Sequence, residues 1–226
     1  MKTKDKIVLT SLELFNERGE RNVSTNHIAA HMGMSPGNLY YHFRNKSDII
    51  YEIFKNYELM VDSYLHVPSD RAIHIHDLIA YLDAVFTGLW AYRFIHRDLE
   101  HLLSSDDRLR EDYRHFTLRC LEGIQRIILA MEGSQIYRPM EDQQRKSKAL
   151  NTWLIVTNWM TYLKSIHASG DPEEALSRKS IHHGVYLVLD YVMPYLYEDK
   201  RELALELQER YRFDGIAPKP EMSKAS

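Results

Sequence analysis

The chain has 226 residues, 44% of them apolar and 27% charged, and 29 Lys and Arg against 32 Asp and Glu leave a net charge of −3. This suits a globular protein, either one large domain or a small domain joined to a larger one, and gives no sign of a strongly basic nucleic-acid binder. The single cysteine, Cys120, excludes an internal disulfide and a multi-thiol metal site.

In chain order, the opening "MKTKDKIVLT" has a basic flank but no sustained apolar core or cleavage site, so a signal peptide is not expected. No stretch approaches the roughly 20 apolar residues of a membrane span, and together these features point to the cytoplasm. Charge is unevenly placed. Residues 1–50 hold 7 Lys and Arg against 5 acids, about +2, while the remainder holds 22 against 27, about −5. A basic small part on an acidic large part permits local phosphate contact.

The first helix is predicted from Lys4 to Arg18, capped by Thr3, with Ile7, Val8, Leu12, Leu14 and Phe15 as its apolar face and Gly19 as its stop. Ser24 caps a short helix from Thr25 to His31, with Ile28 and Met32 facing inward. In "HMGMS", Gly33 permits a left-handed turn and Met34 plugs the gap between helices. Ser35 caps a third helix, with Pro36 at its first position, where the missing N–H costs nothing. "NKSD" (Asn45 to Asp48) then opens a long helix through about Tyr64.

After "HVPSD", where Pro68 breaks and Ser69 or Asp70 caps, helices are predicted over 71–91, 93–103, 107–131, 142–168, 173–197 and 199–211. Leu109, Tyr113, Phe116, Cys120, Ile124, Ile127 and Met131 recur at three-to-four spacing in the third of these. Ala149, Trp153, Val156, Met160 and Leu163 repeat the pattern in the fourth, with Ile155, Trp159, Tyr162 and Ile166 as a second stripe. Ile181, Val185, Val188, Leu189, Val192 and Leu196 give the fifth a wide apolar face that ends near Pro194. Helices apolar on two sides are buried on two sides, which favours a homodimer over a single large core. No alternating strand or hairpin signal occurs, so the fold class is all-α. The closing "APKPEMSKAS" is a polar tail, expected to fray.

Helix, glycine turn and short second helix form a helix-turn-helix pattern, whose second helix presents its N-terminal residues to base edges in the major groove. On that geometry Leu39 and Phe43, four apart, seat the short helix, while Tyr40, Tyr41 and His42 fan outward. Tyrosine hydroxyls and an imidazole can bond phosphate oxygens, and a tyrosine ring can lie against sugar or a thymine methyl. Lys46, at the start of the next helix, adds a charge where free N–H groups also favour an anion.

The run "IVLTSLELFNERGERNVSTNHIAAHMGMSPGNLYYHFRNKSDII" resembles the DNA-binding region of TetR-type transcriptional regulators, over about a fifth of the chain. The ordered elements "VSTNHIA", "MGMSPGNLYYHF" and "NK" carry the resemblance. The wording is similar to a PhaD-like subgroup that regulates polyhydroxyalkanoate genes, as is "AYRFIHRDLEHL" further on. The resemblance implies a three-helix DNA-binding domain followed by a larger helical domain for ligand binding and dimerisation. It implies DNA contacts from Thr25, Asn26, Ser35, Pro36, Gly37, Asn38, Tyr40, Tyr41 and His42, with Lys46 on the backbone.

The expected layout is therefore a DNA-binding domain over 1–47, a sensing and dimerising domain over 48–212, and a tail over 213–226. Trp90, Phe94, Phe116, Cys120, Trp153 and Met160 are the candidate lining of a pocket for a small apolar effector, a fatty acyl compound if the subgroup likeness extends to sensing. Each would otherwise be plain core. Arg93 and Arg97 could receive an acidic head group or pair with Asp98 or Glu100. Together these describe a repressor that binds a palindromic double-stranded operator as a homodimer and leaves it when the effector binds.

Twelve histidines raise the question of metal or catalysis. His74 and His76 point about 200° apart on a helix and cannot share a metal, and His27 and His31, four apart, lack a third ligand. No Ser-His-Asp arrangement, phosphate loop or dinucleotide fingerprint is present, so neither an enzyme nor a cofactor is expected. Cys120 lies on an apolar stripe, where an inert thiol is expected. The alternative reading is a helical protein-interaction module of the same fold that no longer binds DNA.

Overall fold

Helices account for nearly all regular structure in the computed structural model, which describes residues 1–166 and 176–213. In chain order they are α1 (Thr3–Arg18), α2 (Thr25–His31), α3 (Pro36–His42), α4 (Lys46–Tyr64), α5 (Ile75–Ala91) and α6 (Arg93–Arg97). They continue as α7 (Leu99–Ser105), α8 (Asp107–Gly133), α9 (Asp142–Ile166), α10 (Arg178–Val192) and α11 (Glu198–Glu209). Among the described residues the extended pairing is a lone antiparallel bridge between Tyr137 and Leu196. The all-α expectation holds.

Two compact units emerge, one of residues 1–67 and 87–127, the other of 68–86 and 128 onward. In the first, α1 packs on α2, α4 and α6, and α2 packs on α3. Its interior is aromatic: Phe54, Tyr113 and Phe116 lie 5.8–5.9 Å from one another, and Tyr57 5.5 Å from Phe116, in tilted and edge-on pairs, geometry that favours the ring quadrupoles. Around it, Arg119 of α8 reaches the buried carboxylate of Glu58 on α4 at 2.7 Å. Tyr51 donates to Asp112 at 2.6 Å. In the second unit α10 lies against α9 and α11. Its apolar residues Ile181, Val185, Val188, Leu189, Val192 and Leu196 are all buried. The Trp159 indole N–H donates to the Ser180 carbonyl at 2.8 Å, fastening α9 to α10.

Several boundaries depart from the sequence expectation. Lys2, not Thr3, is the N-cap of α1, and the stabilising carboxylate comes from inside the helix, Asp5 accepting from the Lys2 N–H at 3.2 Å. The helix predicted from 71 begins at Ile75, because Asp77 accepts the His74 N–H at 2.8 Å and holds the Arg71 guanidinium at 2.7 Å, fixing residues 71–74 as a non-helical lead-in. The helix predicted over 93–103 is two, α6 and α7, meeting at Asp98. The one predicted from 173 begins at Arg178 behind the Ser177 cap, with residues 173–175 outside the described residues, as are 167–168 of its predecessor. Leu12, Met32 and Ile124 are half-buried instead of core, while Ser11, Ala29 and Ile128 are buried.

Candidate nucleic-acid interface

The site begins with three side-chain caps. The Ser24 hydroxyl accepts the His27 N–H at 3.2 Å, that of Ser35 accepts the Asn38 N–H at 3.2 Å, and the Asn45 amide oxygen accepts the Asp48 N–H at 2.8 Å. Each satisfies one of the orphan donors at a helix start. Between α2 and α3, Gly33 adopts φ 65°, which an L side chain would strain. Pro36 occupies the first turn of α3. A helix of 7 residues has little stability alone. Leu39, fully buried, and Phe43, nearly so, hold it in place together with Ile28 and Ala29 of α2.

That seating decides what remains outside. Asn26, Ser35, Pro36, Gly37 and Asn38 are exposed, Thr25, His42 and Lys46 are half-buried, and Tyr41 is the most open of the aromatics at 85%. The Tyr41 and His42 rings meet edge-on at 5.2 Å. Tyr40, 48% exposed, shares a hydrogen bond of 2.9 Å with the Thr25 hydroxyl, tying α3 to the start of α2. Beside this pair lies a groove of about 390 Å³ whose wall includes Arg21, Ser24, Thr25, His27, Tyr40 and Lys46. The sequence-named DNA residues are thus exposed or half-buried, none of them core.

Two charged residues have partners that spacing could not reveal. The Lys46 ammonium lies 2.6 Å from the Glu20 carboxylate and donates to the Glu20 carbonyl at 3.0 Å. Arg97, named above for an acidic head group or a pair with Asp98 or Glu100, does pair with Asp98, and also donates to the α1 carbonyls of Phe15 at 2.6 Å and Asn16 at 3.4 Å. It satisfies the carbonyl end of α1 and complements its dipole. Asn16 extends this link, donating to the Ala91 carbonyl at 2.7 Å and accepting the Phe94 N–H at 3.1 Å. Arg93 lies over the Trp90 ring and donates to the Trp90 carbonyl at 3.1 Å.

The six residues named for an effector pocket fall in both units. Trp90, Phe94, Phe116 and Cys120 belong to the first, Trp153 and Met160 to the second. Phe94, Phe116, Cys120 and Met160 are buried, and the two tryptophans half-buried. Phe94 packs on Phe15 at 5.2 Å, whereas Phe116 belongs to the aromatic cluster. Burial pushes the Cys120 thiol up to about 12, which leaves it protonated and unreactive at neutral pH.

One buried polar pair went unnoticed in the sequence: the Tyr57 hydroxyl meets His96 Nε2 at 2.8 Å, and His96 Nδ1 has no hydrogen-bond partner among the described residues. Burial lowers the His96 pKa to about 4, against 6.5 for the free imidazole. The native state therefore keeps His96 neutral while the unfolded chain binds a proton below pH ~6.5. Stability is expected to fall by up to about 3 kcal/mol as pH drops from ~6.5 to ~4, then level off in this contribution. Urea midpoints across that window should show a shallower fall in His96→Gln than in the native chain, and parallel curves would contradict the assignment. Asp77, whose pKa the Arg71 hydrogen bonds lower to about 2, acts below that window.

Among the described residues no group of three His, Cys, Asp or Glu could hold a metal ion, and no helix is long and apolar enough to cross a membrane.

Two family models match the chain. One described as "Bacterial regulatory proteins, tetR family" covers residues 7–53, and one described as "Bacterial transcriptional repressor" of the TetR type covers residues 56–204. A solved TetR-family transcriptional regulator from Marinobacter aquaeolei VT8 is 54% identical, with a TM-score of 0.86, over 94% of this chain and 100% of that one. A structure of a transcriptional regulator from Saccharomonospora viridis in complex with choline has the same fold at 18% identity and a TM-score of 0.61, over 84% and 94% of the two chains. An HTH-type transcriptional regulator of Staphylococcus aureus (strain USA300) is 34% identical over 59 residues, 26% of this chain, which spans about a third (32%) of that relative's length.

Proposed function

The chain belongs to the TetR family of bacterial transcriptional regulators, and on that footing we propose that it is a repressor that binds a palindromic operator as a homodimer and releases it when a small apolar effector binds. The observation that carries this reading is the seating of α3: buried Leu39 and Phe43 force Tyr40, Tyr41 and the cap residues of α2 and α3 to one exposed edge. We assign the DNA contacts to Thr25, Asn26, Ser35, Pro36, Gly37, Asn38, Tyr40, Tyr41 and His42, and the DNA-binding domain to 1–47; Lys46, which the resemblance puts on the DNA backbone, borders the groove with its ammonium held by Glu20.

Residues 48–212 are assigned to sensing and dimerisation in the cytoplasm. Support for a second copy comes from α9, where Leu150, Leu154 and Tyr162, in register at multiples of four, are exposed at 46–48%. Apolar side chains repeating on one open face favour burial against a partner. Two heads joined in such a dimer must stand about 34–36 Å apart to enter successive major grooves. An effector that prefers any other separation lowers DNA affinity by its differential preference. The PhaD-like wording of residues 91–102 supports an effector with a hydrocarbon body, a fatty acyl compound or its coenzyme A ester.

Tyr41→Ala tests the interface. Because the side chain is 85% exposed, its loss should leave the thermal midpoint unchanged. Affinity for a duplex selected by the protein from a random-sequence pool should fall roughly tenfold, the scale of one lost contact of about 1–3 kcal/mol. Unchanged affinity in a gel-shift titration would favour the interaction-module reading.

A further inference from the structure

Glu20 is a buried acid within the helix-turn-helix head. It sits in the turn after α1 with 3% exposure, a carboxylate almost wholly withdrawn from water. An ionised carboxylate in such a place requires a partner, and Lys46 supplies it. The ammonium lies 2.6 Å from Glu20 Oε1 and 3.0 Å from the Glu20 carbonyl oxygen, so two of its three donors point into the protein. The second carboxylate oxygen, Oε2, is buried without a hydrogen-bond partner among the described residues. His101 Nε2 of α7 stands 3.7 Å from it, beyond hydrogen-bond distance.

Lys46 also borders the groove that holds Tyr40, Thr25 and Arg21. Its position suits a phosphate oxygen, but Glu20 already provides an anion at short range. We propose that Glu20 is a positioning residue that competes with DNA phosphate for Lys46, withholding one cation from the interface. The pair has no net charge, so Lys46 displaces no condensed counterion while Glu20 holds it. Arg21, the exposed cation of the same groove, is left to face the backbone. The purpose is moderation: a head with one fewer effective cation leaves non-specific DNA more readily, since non-specific affinity is almost wholly electrostatic. This inference rests on the DNA-binding reading above.

Counterion release makes it measurable, because each neutralised phosphate steepens the fall of log K with log salt by about 0.9 for duplex DNA. Full-length protein is titrated onto the duplex it selects from a random pool, and onto a mixed-sequence duplex, across a salt series at a pH above the imidazole range. Glu20→Gln, similar in shape and uncharged, should bind both duplexes several-fold more tightly, with a slope steeper by about 1.8 per dimer, about 0.9 for each head. Lys46→Gln alone should leave the slope unchanged, and Lys46→Gln added to Glu20→Gln should remove the gain. Lys46→Gln should also lower the thermal midpoint in the native background, where it strands Glu20, and not in Glu20→Gln. That dependence separates a competitor from a merely structural residue.

Weaker binding by folded Glu20→Gln would show that Glu20 presents Lys46 to DNA, overturning the proposal. If Glu20→Gln fails to fold, Lys46→Gln decides alone: a slope shallower by about 1.8 per dimer overturns it and an unchanged slope supports it. Native protein that binds neither duplex at any salt removes the DNA-binding reading and this inference with it, an outcome distinct from equal slopes in a native protein that binds.

Discussion

Leu39→Ala is expected to abolish selective DNA binding while leaving every exposed contact residue in place. Leu39 is fully buried at the centre of a helix only 7 residues long. Truncating a buried leucine typically removes about 2–5 kcal/mol through lost transfer energy and the cavity left behind. A two-turn helix has no reserve against that loss, since short helices depend on packing for their order. The expected results are a lower urea midpoint and no shift of the selected duplex in a gel. Set beside Tyr41→Ala, this is expected to divide the proposed interface physically: loss of Tyr41 should weaken DNA binding without disturbing the fold, and loss of Leu39 should disturb the fold without removing a DNA contact. A Leu39→Ala protein with native stability and native affinity would mean that α3 is positioned by something other than its apolar seat.

The second large effect lies in the other unit. Gly184 occupies the interior of α10 and is buried, and a Cβ built there falls on the Phe86 ring atoms Cε1 and Cζ and 3.1 Å from Trp159 Cδ1. Glycine to alanine within a helix ordinarily gains roughly 1 kcal/mol from backbone entropy. Here overpacking opposes that gain. Phe86 is fully buried and Trp159 is held by its bond to the Ser180 carbonyl, so neither ring has free space to enter. Forcing extra volume into a closed core costs about 1–3 kcal/mol, and more when rings cannot turn. Gly184→Ala should therefore destabilise the protein in denaturant titrations, and a raised midpoint would show that α10 can step back from Phe86. Because the proposed dimer face is on α9, which α10 supports, weaker self-association should accompany the lower midpoint.

The parts legible in the sequence were those that local chemistry decides. Ser24, Ser35 and Asn45 cap because a short oxygen-bearing side chain meets an N–H three residues on. Gly19 and Gly33 turn because their backbones take φ 84° and 65°. Leu39 and Phe43 face inward because they are four apart on a helix. The parts that escaped depend on distant residues. The Lys46–Glu20 contact joins positions 26 apart, and the Arg97 bond to the Phe15 carbonyl joins positions 82 apart. No periodicity signals that an arginine will cap the end of a remote helix, so Arg97 read as a surface charge. The break at Asp98 was hidden for a related reason: the apolar spacing of Phe94, Ile95 and Leu102 continues across it, while the Asp98 N–H closes on the Phe94 carbonyl as a C-cap. Lys46 itself shows the limit of carrying a role over by motif. Its position matched, but the anion already beside it could be found only in three dimensions.

The central claim, that the edge formed by α2 and α3 reads duplex DNA, is tested most directly by hydrogen–deuterium exchange of the full chain, free and saturated with the duplex it selects. The account predicts slowed exchange over residues 24–46, including the α3 amides next to Tyr40 and Tyr41. Unchanged exchange there, with protection confined to α9, α10 and α11, would contradict it.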